Sequence, residues 1–287
     1  MTAKSQAPTG LTRRQRRLSD EETERRMLEA AAAMVNHAGL TVGLEHISYE
    51  DVIRDARVSR STVYRRWPYK DLFFSDLLKE LARATTPAAI AGEEAAGALV
   101  RRVLLDHADW LSTAELRYNL LLELMRRGSL HDFETMLGST EWRTYLALHA
   151  TFLSVADDEL RADLQAALAQ SERDFIRRIA ASWERLSGLI GYRLRPELDA
   201  TFETVASLAS ADLRGHVLMA LANADIGTRR IRGRPFGAAQ AADWSPPALA
   251  IAAIAIAFFE PDPMVTWDDE RIAAVRQALE SEGSARP

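Results

Sequence analysis

The stretch RVSRSTVYRRWPYK, residues 57–70, carries five basic side chains and no acidic one, with Asp55 and Asp71 just outside it. Arginine presents a planar fork of N–H donors that fits phosphate oxygens or guanine O6 and N7, and lysine supplies a point charge. With Val63 at the centre of a buried helix face, a turn of about 100° per residue puts Trp67 beside it and Ser61, Thr62 and Arg65 on the outside. Ser61 and Arg65 are four apart and stand one above the other. Arg60 lies at the helix start, where a long side chain reaches base edges or backbone. Tyr64 and Arg66 flank the face where phosphate oxygens would run, and Lys70 adds positive charge at the next helix. The chemistry expected of this set is recognition of double-stranded DNA.

Such a face needs a rigid mount. Ser59 is a natural cap for the short helix, and Pro68 must end it, because the residue before a proline is pushed out of helical geometry. Ser48, with Asp51 three residues on, caps the preceding helix, whose apolar side is Val52, Ile53 and Ala56. A first helix opens at Ser19 and Asp20, with Met27, Ala30, Ala31, Met34 and Ala38 at helical spacing and Gly39 as its stop. A fourth starts near Asp71 with Leu72, Phe73, Leu77, Leu78 and Leu81 on one broad face. Residues 20–84 are therefore expected to form a helix-turn-helix unit of three to four helices. Residues 1–19 hold too few apolar groups to order themselves and are expected to be a flexible arm. Its Arg13, Arg14, Arg16 and Arg17 suit a narrow minor groove.

Two segments of this region resemble the DNA-binding part of tetracycline-repressor-type (TetR family) transcriptional regulators. The first helix carries adjacent alanines followed by a glycine, MLEAAAAMVNHAGL. The second segment has the Val-Ser turn, Thr-aliphatic-Tyr, aromatic and Lys-acidic string, VSRSTVYRRWPYKD. The resemblance covers about a quarter of the chain and implies an N-terminal reading head and a larger C-terminal helical domain that binds a small ligand and dimerises. Residue by residue, it implies base reading by Arg60, Ser61, Thr62 and Arg65. It implies phosphate contacts from Ser48, Tyr49, Ser59, Tyr64, Arg66 and Lys70. The chain departs from the pattern at Ile53, where a small alanine is usual, at Tyr69, where a capping Ser or Asn is usual, and at Arg57, which replaces the turn glycine. A non-glycine residue held there at positive φ is strained by roughly 1 kcal/mol.

The charge is divided unevenly. Of 36 Lys/Arg and 41 Asp/Glu, residues 1–85 hold 15 and 12, a balance of +3, and the remainder 21 and 29, a balance of −8. A local face, not the total, attracts phosphate, so a net charge of −5 is compatible with nucleic acid. There is no cysteine, which excludes disulfides and thiolate metal sites. No apolar core follows the N-terminal basic residues, and the run from Ala248 to Phe259 is shorter than the roughly 20 residues of a membrane span, so a cytoplasmic protein with no membrane partner is expected.

Beyond residue 85, segments near 88–111, 113–127, 140–155, 158–190, 198–224, 246–260 and 267–281 show helical periodicity, punctuated by Pro87, Gly128, Gly138, Pro196, Gly227 and the Pro246–Pro247 pair. The expectation is an all-α fold, with residues 85–287 forming the effector-binding and dimerisation domain. Histidines at 37, 46, 107, 131, 149 and 216 are scattered, and nothing resembles a catalytic, metal or cofactor motif, so no enzyme activity is expected. Trp110, Tyr118, Met125, Trp142, Tyr145, His149 and Phe152 are candidate lining for a small apolar or aromatic effector. For self-association as a homodimer, the candidates are a stripe of Phe202, Val205, Leu208, Leu213, Val217 and Leu221 and the apolar 248–259 helix. The basic segment 227–237 is expected to be an exposed loop. The combined expectation is a ligand-responsive, sequence-specific repressor on a near-palindromic operator. The alternatives are an all-α small-molecule-binding protein or enzyme without DNA function, or an architectural DNA binder with no effector.

Overall fold

The computed structural model describes residues 19–38, 47–84 and 93–284. Among them the architecture is all-α, with four three-residue strands as its only sheet. Helix α1 spans Asp20–Ala38 and is capped by Ser19, whose Oγ accepts the Glu22 N–H at 3.1 Å. It buries Met27, Ala31 and Val35; Val35 lies outside the expected stripe, and Ala30 and Met34, which belong to it, are only half-buried. Helix α2, Tyr49–Ala56, is capped by Ser48, which accepts from the Asp51 N–H as its spacing predicts, and it buries Val52, Ile53 and Ala56. Arg57 then takes the left-handed conformation, φ 54° and ψ 43°.

Helix α3, Arg60–Arg66, is capped by Ser59 and stops before Pro68. Helix α4, Lys70–Ala84, packs Phe73, Leu77, Leu78, Leu81 and Ala82 inward. Leu72, expected on that face, is instead 49% exposed, because the buried arc turns toward 73, 77 and 81.

Helix α5, Glu93–Asp106, and a 3-10 turn, Ala108–Leu111, precede α6, Ala114–Gly138. Helix α6 runs straight through Gly128, which the sequence suggested as a break. A Cβ there would meet nothing within 4 Å, so this glycine weakens the helix without interrupting it. Then follow α7, Thr140–Ser154, and α8, Asp158–Leu189. The long α9, Phe202–Ala222, leads to the short α10, Ala224–Thr228. Helix α11, Pro246–Phe258, and α12, Asp269–Ser284, complete the set.

Strand β1, Tyr192–Leu194, pairs antiparallel with β4, Phe259–Pro261, setting Arg193 opposite Glu260, where the two side chains form an ion pair at 2.8 Å. Strands β2, Ile231–Gly233, and β3, Ala242–Trp244, form a second antiparallel pair in which Arg232 faces Asp243. The segment expected as a basic loop is thus half of a hairpin. Its turn is built from positive φ at Phe236 and Gly237, and Tyr118 of α6 donates to the Phe236 carbonyl at 2.8 Å.

Two apolar cores result. One joins α1–α4 and also takes in Leu148 of α7 and Leu164 and Leu168 of α8, so the N-terminal helices sit directly on the long helices of the second region. The other is built around α6, α8, α9 and α11, with Leu120, Phe133, Trp142, Tyr145, Val205, Val217 and Trp244 among its least exposed members. Helix α11 has no charged side chain. It turns Ala248, Ile251, Ala252 and Ala255 inward, while Ala253 and Ala257 remain exposed. On α9, Val205, Leu213 and Val217 belong to the core, so they are not available to a partner. The exposed stripe is Leu208, Ala211, Gly215, Leu218 and Ala222, with Met219 beside it. No helix among the described residues is long and apolar enough to cross a membrane.

Candidate nucleic-acid interface

Helix α3 is fixed at both ends and along one side. At its start, Ser59 Oγ accepts the Thr62 N–H at 3.3 Å and lies 2.7 Å from the Thr62 hydroxyl and 3.2 Å from that of Ser61. Along its inner side Val63 is fully buried, as is Trp67, the residue that terminates the helix. Beyond its end the Trp67 ring packs edge-on against Phe73 at 5.1 Å. A helix of two turns has little stability of its own, so these attachments set its orientation.

The outward face is the one the rotation predicts. Arg60, Ser61, Tyr64, Arg65 and Arg66 are exposed, and Thr62 is half-buried. Tyr64 is 45% exposed yet fixed, with its hydroxyl donating to Glu50 Oε1 at 3.0 Å and its ring edge-on to Tyr49 at 5.8 Å. That hydrogen bond to a carboxylate is the chief reason its phenol titrates above the ordinary value, because ionisation would set two negative groups together. Lys70 is exposed as the first residue of α4. Ser48 uses its hydroxyl as the α2 cap. Tyr49 is half-buried on Phe73, and its hydroxyl lies 3.5 Å from the Trp67 carbonyl. Burial pushes the Tyr49 phenol up to about 12, with Tyr64 and Glu50 adding to the shift. Of the ten residues, Tyr49 is the one most engaged inside the unit.

The sequence did not indicate the carboxylates around this face. Arg60 Nη2 lies 2.6 Å from Glu50 Oε2, Arg65 pairs with Asp20, and Arg66 reaches Glu24 through Nε at 3.1 Å and Asp76 through Nη2 at 3.5 Å. Asp20 and Glu24 come from α1, Glu50 from the first turn of α2 and Asp76 from α4. In a linear reading they look like helix-start charge or solvated faces, and only the tertiary arrangement sets them against α3. Arg13, Arg14, Arg16 and Arg17 lie outside the described residues.

The seven candidate effector residues do not surround one space. Trp142 and Tyr145 of α7 are buried with ring centroids 5.2 Å apart. The Arg214 guanidinium of α9 lies 5.6 and 5.3 Å from those rings, and Tyr145 donates to Glu172 at 2.8 Å. The His149 ring lies tilted against that of Tyr145 with centroids 4.2 Å apart, and Met125 is buried in the same core. Phe152 packs instead on the core of the N-terminal unit. Trp110 sits on the 3-10 turn beside His107, and Tyr118 is tied to the β2–β3 hairpin. A cleft of about 460 Å³ is lined by Arg83 of α4 and by Asp163, Ala167, Gln170 and Asp174 of α8, and none of the seven borders it. No group of His, Asp and Glu among the described residues is arranged to hold a metal ion.

No family model matches the sequence, and no curated protein does. Among solved structures similar to this chain is one described as "a putative transcriptional regulator from Rhodococcus sp. RHA1", at 13% identity and with a TM-score of 0.41. The match covers 71% of this chain and 89% of that one.

Proposed function

We propose that the protein is a sequence-specific DNA-binding regulator of the tetracycline-repressor type, a ligand-responsive homodimeric repressor. The observation that carries this reading is the position of Ser61 and Arg65 on the exposed side of a capped helix whose opposite side, Val63 and Trp67, is fully buried. Residues 20–84 are the reading head, with Arg60, Ser61, Thr62 and Arg65 toward bases and Ser48, Ser59, Tyr64, Arg66 and Lys70 toward phosphates. Tyr49 acts mainly as the support behind Tyr64. Residues 85–287 form the effector and dimer domain.

A second copy would cover the exposed stripe of α9 and the exposed side of α11, which pack beside each other. Two such heads related by a two-fold axis read a near-palindromic operator. Helix α7 supports a route from effector to head: Tyr145 and His149 lie in the aromatic cluster, while Leu148 on the same helix belongs to the core beneath the head. A small apolar or aromatic effector that prefers one packing of α7 would change the separation of the heads, to the extent of its preference between the two states.

The test is a footprint on the DNA upstream of the protein's own gene at stated salt, repeated with candidate effectors. A protected near-palindromic stretch, lost when an effector binds, is expected. Absence of any DNA binding at low salt would refute the proposal.

A further inference from the structure

Three of the four arginines in the basic run 57–70 are matched by carboxylates of the same unit. Glu50 holds Arg60 and Tyr64 together, Asp20 holds Arg65, and Glu24 holds Arg66. Asp20 and Glu24 are four residues apart on α1, so they present two carboxylates one turn apart along the end of α3. Arg65 and Asp20 are 51% and 64% exposed, Arg60 and Glu50 72% and 46%, and Arg66 and Glu24 40% and 37%. They therefore lie on the surface a duplex would approach. A carboxylate presents two acceptor oxygens to a guanidinium much as a phosphate does.

We infer that Asp20, Glu24 and Glu50 are built-in competitors for DNA: they occupy the reading arginines in the free protein and must be displaced before Arg60, Arg65 and Arg66 can contact the duplex. The inference rests on the DNA-binding reading of α3. Two consequences follow from the electrostatics. Each arginine exchanges one anionic partner for another, so the net gain per contact is smaller than for an unpaired side chain. The released carboxylate is then left facing the phosphate backbone, which repels it. Both effects hold down affinity for every sequence. They leave strong binding to sites where the base contacts of Arg65 and Ser61 add to the phosphate contacts.

The test compares Asp20→Asn with Glu21→Gln in the full chain, using a labelled random-sequence duplex at low salt. Glu21 is exposed in the same first turn of α1, so the control makes the same change in net charge and helix-end charge without touching the Arg65 pair. Asp20→Asn is expected to tighten binding by about two- to five-fold, the range for releasing one exposed ion pair, and Glu21→Gln by clearly less. In an Arg65→Ala background the advantage of Asp20→Asn over Glu21→Gln should vanish. Equal effects of the two substitutions, or an advantage that persists without Arg65, would overturn the inference while leaving the DNA-binding reading standing. A duplex left unbound by the natural chain and every variant would overturn both.

Discussion

The indole N–H of Trp67, at the end of α3, donates to the carboxylate of Asp76 on α4 at 2.8 Å. Trp67 is fully buried, so this carboxylate is what keeps its donor satisfied while the same group also reaches Arg66. Asp76 thus ties the end of α3 to the element behind it. Replacing Asp76 by Ala leaves a buried N–H without its partner and should cost about 1–3 kcal/mol. Asp76→Asn, which keeps an acceptor, should cost less. Urea midpoints of the two variants check this, and an Asp76→Ala protein as stable as the natural one would refute it.

Arg57 lies between α2 and α3 at φ 54°, a conformation glycine adopts freely and other residues adopt at a cost of about 1–2 kcal/mol. Glycine in turn makes the unfolded chain more flexible, which offsets about 0.5–1 kcal/mol. Arg57→Gly is therefore expected to stabilise the protein by up to about 1 kcal/mol, and Arg57→Val to destabilise it by more, because β-branched residues fit that region poorly. Thermal unfolding of the pair decides the matter by the sign of the difference between them.

How far the sequence revealed this structure depends on whether the signal was local. Ser48 and Ser59 were recognisable as caps, and Pro68 as a stop, because each acts within one turn of itself. The glycine missing at position 57 was visible only through the resemblance to the TetR-type turn. The carboxylates around α3 were not, since Asp20 is 45 residues from Arg65 and Glu24 is 42 from Arg66. The β1–β4 pair was equally hidden, because three residues on each side, joined across 67 positions, leave no alternating pattern to find. Aromatic residues between 110 and 152 could be counted but not placed. Whether Trp142 fills a core or lines a cavity depends on Phe175 and Arg214, which sequence spacing does not relate to it.

If Arg65 reads bases and Lys70 holds phosphate, the two substitutions to Ala must differ in kind. Arg65→Ala should cost about 1–3 kcal/mol on the operator and relax base choice at one position, with a smaller loss on random DNA. Lys70→Ala should weaken both alike and lower the salt dependence by about one phosphate contact. Titrations on both duplexes at two salt concentrations separate these outcomes. Parallel losses from both substitutions would sink the division of roles.

Asp132, half-buried on α6, is raised by burial to about 6, with the neighbouring His131 pulling the other way. An aspartate ordinarily titrates near 3.9, so between roughly pH 4 and 6 the folded chain binds more protons than the unfolded one. Stability from this group is therefore present on the acid side and is lost as pH rises through that window, with little further change above it. Asp132→Asn should remove the loss and stabilise the protein near pH 7 by on the order of 1–3 kcal/mol. Denaturant midpoints on either side of the window test the sign. A natural chain whose stability climbs across it more steeply than that of Asp132→Asn would contradict the assignment.

The outer side of α9 offers the most direct test of self-association. Leu218 is 59% exposed and Met219 47%, on a helix whose outward stripe also holds Leu208, Ala211, Gly215 and Ala222. Small residues at 211, 215 and 222 let a second helix approach closely, and Leu208 and Leu218 on the same stripe supply apolar area. Without a partner that area is left in water, at a cost of about 25 cal/mol per Å². Leu218→Glu puts a charge in the middle of the stripe but touches no buried position, so the fold should survive while the dimer does not. Light scattering is expected to give a dimer for the natural chain and a monomer for the variant, with far-UV circular dichroism unchanged. Because a half-site alone supplies only part of the contacts, the monomer should also lose most of its operator affinity while keeping its weak attraction to random DNA. A variant that remains dimeric and binds normally would place the interface elsewhere on the molecule.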